Sequence, residues 1–277
     1  MSVWGVADQH DDGLEDGPQA MRKAGLVDEL KAHGLSVSDY GDIKIEKKDE
    51  QTQIAEFSQN AYAIVKEIIE NDHIALTLGG DHSPSFGTIA GHLAADPDLV
   101  LVYVDAHDTL NTTYNIRQLL GWEGLQNTDL QWSATRLLPS RLVYIGLQDV
   151  DEEQKKVFQN LNIAAFYLPD IEELGIKKII EKALEIVDPH AERNIHLFHD
   201  ITSIDFSLTP APARKGLTLE EGITISSLMH QTGRLRALDM MEVNPKLAKN
   251  KTELDKTVDT AKTLILTALG IEHVENK

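Results

Sequence analysis

Four polar segments of this chain each follow an apolar run, and each carries residue types that do chemistry. They are Gly79-Gly80-Asp81-His82-Ser83, Asp105-Ala106-His107-Asp108, His199-Asp200-Ile201-Thr202-Ser203-Ile204-Asp205 and Met241-Glu242-Val243-Asn244-Pro245. Alternation along an extended backbone puts Asp105 and His107 on one side and Asp108 on the other. A carboxylate and an imidazole two residues apart suit a metal ion held by oxygen and nitrogen. Glycines ahead of His82 let the backbone turn sharply and bring that ring to the rim. Asp200 stands where it could ligate or bridge a metal, and Glu242 is an anion awaiting a cationic group. Taken alone, His82 also reads as an ordinary satisfied polar residue, the Asp105 segment as a capped loop, the Asp200 segment as a turn whose Asp, Ser and Thr bond neighbouring backbone groups, and Glu242 as a surface glutamate before a turn. Two histidines and two aspartates converging at one end of one sheet describe a hard divalent-cation site that polarises a substrate or activates water.

The elements that must position these residues are visible as alternating patterns. Short runs at 72–78, 99–104, 141–147, 163–167, 194–199 and 235–240 are apolar on both faces, as parallel strands covered by helices are. Between them lie helical periods at 53–71, 176–187 and 256–269, the first with Ile54, Phe57, Ala61, Ile64, Val65 and Ile68 at three- and four-residue spacing. Gly17-Pro18 followed by 20–33 predicts a single helix with proline in its first turn. Strand–helix alternation over all 277 residues predicts one α/β domain at 1–277, a doubly wound parallel sheet flanked by helices in three α/β/α layers. In such a sheet, ligands sit just past the carboxyl ends of strands, where all four polar segments fall.

Composition narrows the chemistry. The absence of cysteine excludes disulfides, zinc–thiolate sites, iron–sulfur clusters and a thiol nucleophile, and fits a reducing compartment. Lys and Arg number 26 against 45 Asp and Glu, a formal charge of -19 with no basic stripe for a phosphate backbone. The apolar runs are far short of the ~20 residues that span a bilayer. Met1-Ser2-Val3-Trp4 runs into acidic residues and does not read as a signal or transit peptide. The expectation is a cytoplasmic protein with a small-molecule ligand and neither nucleic acid nor membrane as partner.

Longer motifs carry a resemblance. Gly13-Leu14-Glu15-Asp16-Gly17-Pro18, Arg22-Lys23-Ala24-Gly25-Leu26 and Asp39-Tyr40-Gly41-Asp42 precede GGDHS at 79–83 and DAH at 105–107. YIGLQDVD at 144–151, TPA at 209–211, GLTLEEG at 216–222 and LDMMEVNP at 238–245 complete the series. Nearly end to end, the chain resembles the arginases of the ureohydrolase family. That resemblance implies an arginase-like fold and hydrolysis of L-arginine to ornithine and urea at two Mn(II) ions. It implies His82 on one ion, His107 on the other, and Asp105 and Asp200 bridging both. It further implies Glu242 holding the guanidinium, Asn111 and Asp151 at the amino-acid end of the substrate, and a homo-oligomer, trimeric or hexameric.

The departures from the family pattern fall on the same site. The family's Asp-Ala-His-x-Asp motif ends here at Thr109, with Asp108 one residue early, and its Asp-x-Asp motif ends at Thr202. The loop after Asn111 lacks the family's catalytic histidine, and no histidine occurs from 108 to 189. Two divalent ions about 3.5 Å apart repel by roughly 19 kcal/mol at an effective dielectric near 20. The two remaining assignable carboxylates, Asp105 and Asp200, leave that repulsion poorly neutralised. The leading expectation is therefore a catalytically impaired or inactive arginase homologue, holding one Mn(II) or none, whose ligand is arginine or a related guanidine. The rival expectation is an active amidinohydrolase recruiting Asp108, Asp205 or His199 as replacement metal ligands. On a third, blander reading the retained residues only satisfy loop backbone.

Overall fold

A computed structural model of the chain describes residues 13–44, 50–82, 85–107, 116–121, 136–148, 150–204 and 216–271. The apolar runs become six strands: β1 (Ala75–Leu78), β2 (Val100–Val104), β3 (Leu142–Leu147), β4 (Ala164–Tyr167), β5 (Ile195–Asp200) and β6 (Leu235–Met241). They form one sheet in the order β1-β6-β5-β2-β3-β4, with every pairing parallel. Parallel neighbours need a covered crossover, and the helices supply it. In chain order these are α1 (Gly17–Lys23), α2 (Leu26–Ala32), α3 (Glu50–Glu70), α4 (Ser85–Ala95) and α5 (Ile116–Leu119). They continue with α6 (Glu152–Leu161), α7 (Leu168–Leu174), α8 (Ile176–Val187), α9 (Leu219–Gln231) and α10 (Lys251–Ala268).

Strand alternation divides the core into two layers. Val100, Val102 and Val104 of β2 face one way, with Ile179 of α8, Ile225 of α9 and Leu264 of α10. Leu101 and Tyr103 face the other way and share a cluster with Phe86, Ile89 and Leu93 of α4. Tyr103 stacks on Phe198 of β5 at 3.9 Å between centroids and leans on Tyr144 of β3, so the middle of this face is aromatic. Both faces of the central strands are buried, which is why their sequence is apolar throughout rather than alternating.

Two helix boundaries differ from the sequence reading. The single helix expected over 20–33 is two helices, α1 and α2, broken at Ala24-Gly25. Gly25 sits at φ 83°, a left-handed conformation that ends one helix and starts the next at no steric cost. The last helix begins before 256, at Lys251, because Asn250 caps it by accepting from the Glu253 N–H. Its first turn is polar, so apolar periodicity alone does not reveal it.

The order of the strands also fixes where a ligand crevice opens. From β2 the chain steps outward to β3 and β4, and from β5 it steps the opposite way to β6. The reversal falls between the adjacent strands β2 and β5, and the residues at their carboxyl ends are Asp105 and Asp200.

Candidate functional site

Asp105 directly follows β2 and is buried. Its Oδ1 accepts the His107 N–H at 2.9 Å and stands 3.4 Å from the His107 ring Nδ1. The tight turn thereby brings both residues together at the rim, with the ring of His107 partly in solvent. The Asp105 carboxylate against the ring nitrogen holds the His107 pKa above the usual histidine value. Asp200 ends β5, also buried, and its Oδ1 accepts the Thr202 N–H at 2.7 Å as the cap of a short 3-10 turn. Burial raises the Asp200 pKa well above the carboxylate range, and the negative charges of Asp105 and Glu242 push it further. The three carboxylates are therefore close enough to feel one another.

Glu242 reaches the same place by an unusual backbone. It directly follows β6 at φ 64°, a left-handed conformation that non-glycine residues adopt at a cost. Its N–H donates to the Gly80 carbonyl at 2.7 Å. Its Oε1 accepts the His82 N–H at 3.0 Å and lies 2.9 Å from His82 Nδ1. Burial alone would lower the His82 pKa. The Glu242 hydrogen bond, with the charges of Glu242, Asp81 and Asp200, outweighs it and holds the ring well above the ordinary histidine range. The backbone bends over Gly80, Asp81 and His82, as read from the sequence, and Gly79 and Gly80 also allow this loop by close approach. A Cβ on Gly79 would strike the Met241 sulfur, and one on Gly80 would strike the Leu14 carbonyl.

Asp81 was missed by sequence reasoning, although it is the neighbour of His82. Ligand atoms of Asp81, His82 and Glu242 all lie within 4.8 Å of one another, a grouping able to hold one cation. The structure does not bring His199 into the group. It is buried one residue before Asp200 on the opposite face of β5, where Gly222 of α9 stands over its ring. Burial alone pushes its pKa down to about 4, with no contribution from the rim carboxylates. Asp151 caps α6, its Oδ1 accepting the Glu153 and Gln154 N–H groups at 2.9 and 2.8 Å. Asp108, Thr109, Asn111 and Asp205 lie outside the described residues.

At the remaining departure, Thr202 is buried, and its hydroxyl oxygen finds no hydrogen-bond partner. A neutral hydroxyl beside Asp200 adds no negative charge where a second cation would need it. The donors present, with Asp105 and Asp200 each accepting from backbone and His82 Nδ1 engaged by Glu242, suit one hard cation or a small organic cation. Among the described residues, they do not supply ligands for a pair of metal ions.

Comparisons with known proteins agree with this geometry at the level of family. A profile of the Arginase family matches residues 3–270. The chain is 36% identical to Arginase-1 of Sus scrofa over 289 residues, covering 95% of this chain and 90% of that one. It is 35% identical to Arginase-1 of Homo sapiens with the same coverage. Among solved structures, the arginase of Bacillus subtilis superposes with a TM-score of 0.85 at 28% identity over 99% of both chains. A cold-adapted arginase from the psychrophilic yeast Glaciozyma antarctica gives 0.80 at 29% identity, over 97% of this chain and 93% of that one.

Proposed function

The chain belongs to the arginase family, and we propose that it is a member whose hydrolytic site is impaired. It keeps a rim that gathers a small guanidino cation, such as arginine or a related guanidine, and has lost the ligands for two Mn(II) ions. The observation that carries this reading is Thr202, a buried hydroxyl without a partner beside the buried carboxylate of Asp200. In this reading Glu242 and Asp105 supply the negative charge that attracts the ligand, and His107 closes the side next to Asp105. Asp151 and Asn111 are the residues we assign to the far end of the ligand. A single Mn(II) held at this rim would act as a Lewis acid on a bound group. The chain's own residues orient the ligand and hold its positive charge, but no second cation shares the load.

Burial and two neighbouring acids already disfavour the charged form of Asp200, and the neutral Thr202 hydroxyl adds no charge with which to hold a second divalent ion. Recruitment of His199 as a replacement ligand loses its support from the position of that ring beneath α9. A cytoplasmic location remains the expectation from composition, and a homo-oligomer the one carried by the family resemblance. Among the described residues, no helix is long and apolar enough to cross a membrane.

Urea release from L-arginine in the presence of Mn(II) tests the reading. The wild-type chain is expected to give little or none, and the double variant Thr109→Asp with Thr202→Asp is expected to regain it. Efficient turnover by the unmodified chain overturns the proposal.

A further inference from the structure

Beneath the rim, between α4 and the sheet, lies a second polar cluster that takes no part in the site above. Asp239 of β6, His196 of β5, and Thr88 and His92 of α4 are all shut off from solvent. The Thr88 hydroxyl bonds the Asp239 Oδ2 and also lies 3.0 Å from the Ser85 carbonyl. His196 Nε2 stands 3.1 Å from the same Oδ2, at ion-pair distance. The two Nδ1 atoms of His92 and His196 face each other at 3.3 Å, so one ring donates and the other accepts. Burial, helped by the neighbouring His196 and Arg236, holds the His92 pKa well below the ordinary value, and that ring is neutral.

A carboxylate in such a place is expensive, and an apolar residue of similar size would pack there at no cost in desolvation. Its position gives it a use. Thr88 lies one turn into α4, and the first residue of that helix, Ser85, donates its N–H to the His82 carbonyl at 3.0 Å. His196 is four residues before Asp200 on β5, and Asp239 is three residues before Glu242 on β6. One carboxylate oxygen on β6, the strand that leads into Glu242, thus touches β5, which ends in Asp200, and α4, which starts just after His82.

We propose that Asp239 is a positioning residue, which through Thr88 and His196 fixes α4, β5 and β6 against one another so that His82, Asp200 and Glu242 meet. The role holds whether or not the rim binds metal or turns over arginine, so it stands or falls apart from the function proposed above. Amide hydrogen exchange in the full-length chain reads it directly. The informative amides are His82, whose N–H is held by Glu242, Thr202, held by Asp200, and Glu242, held by Gly80. Asp239→Asn is expected to speed exchange at these amides about tenfold or more, the scale of one lost bond to a charged group. Val143 and Ile145 in β3 share the sheet but not the carboxylate. Their exchange is expected to change only by the factor that global destabilisation imposes, measured by denaturation. Uniform acceleration at both places overturns the proposal, because Asp239 would then be an ordinary part of the core. Should Asp239→Asn fail to fold, Thr88→Val carries the test. It is expected to loosen the His82 amide while sparing Thr202, with Thr88→Ser restoring wild-type exchange. An unchanged His82 amide in Thr88→Val overturns the proposal equally.

Discussion

His199 offers a quantitative test of how the core is built. The ring is buried with neither nitrogen hydrogen-bonded, and its pKa falls from 6.5 to about 4 because burial disfavours the charged form. The unfolded chain binds a proton below pH 6.5 that the folded chain refuses until about pH 4. Stability therefore rises with pH across that window and is flat above it. The full effect is about 3 kcal/mol, and about 2 kcal/mol of it is already lost by roughly pH 5. His199→Phe removes the titrating group and keeps a flat ring against Gly222 of α9, where a Cβ on the glycine would stand 3.9 Å from His199 Cε1. Near neutral pH the variant is expected to be more stable by about 1 kcal/mol, since it no longer buries an unpaired polar group. Strain from the larger ring offsets part of this but does not depend on pH. The decisive quantity is thus the difference between variant and wild type, taken from urea denaturation at about pH 7.5 and about pH 5, and expected to widen by about 2 kcal/mol. A difference that stays constant refutes the claim that the fold holds His199 neutral.

Three further substitutions probe the rim and the cap of α6. Thr202→Asp adds a carboxylate beside Asp200, whose neighbours already oppose its ionisation, so thermal melting without metal is expected to fall by the equivalent of about 1–3 kcal/mol. Mn(II) is expected to recover that loss in the variant and to move the wild type much less. Gly80→Ala drives a methyl group into the Leu14 carbonyl and is expected to cost more than about 2 kcal/mol in chemical denaturation. Asp151→Ala removes both side-chain hydrogen bonds that cap α6 and is expected to cost about 1 kcal/mol by the same measurement.

Much of the fold was legible in the sequence because both faces of the central strands are buried. Apolar runs such as 99–104 could hardly be anything but covered strands, and β2 occupies 100–104. Local backbone choices were harder to read. The left-handed Gly25 splits a helix whose apolar spacing is continuous, and the polar first turn of α10 hides behind an asparagine cap. At the rim, residue types and strand ends marked Asp105, His107, Asp200, His82 and Glu242 as candidates. Pairing was not legible, because His82 and Glu242 meet across 160 positions of sequence. Nor did the spacing disclose that Glu242 reaches His82 through a left-handed backbone, or that the glycines before His82 are required by close approach. The face occupied by His199 follows from alternation with Asp200, a signal that was present once β5 was known to extend through residue 200.

The central claim is that this member of the arginase family lacks the charge to hold a pair of metal ions. Counting bound Mn(II) tests it most directly, by elemental analysis of the full-length chain equilibrated with the ion and then freed of excess. At most one ion per chain is expected. Two tightly held ions per chain would contradict it.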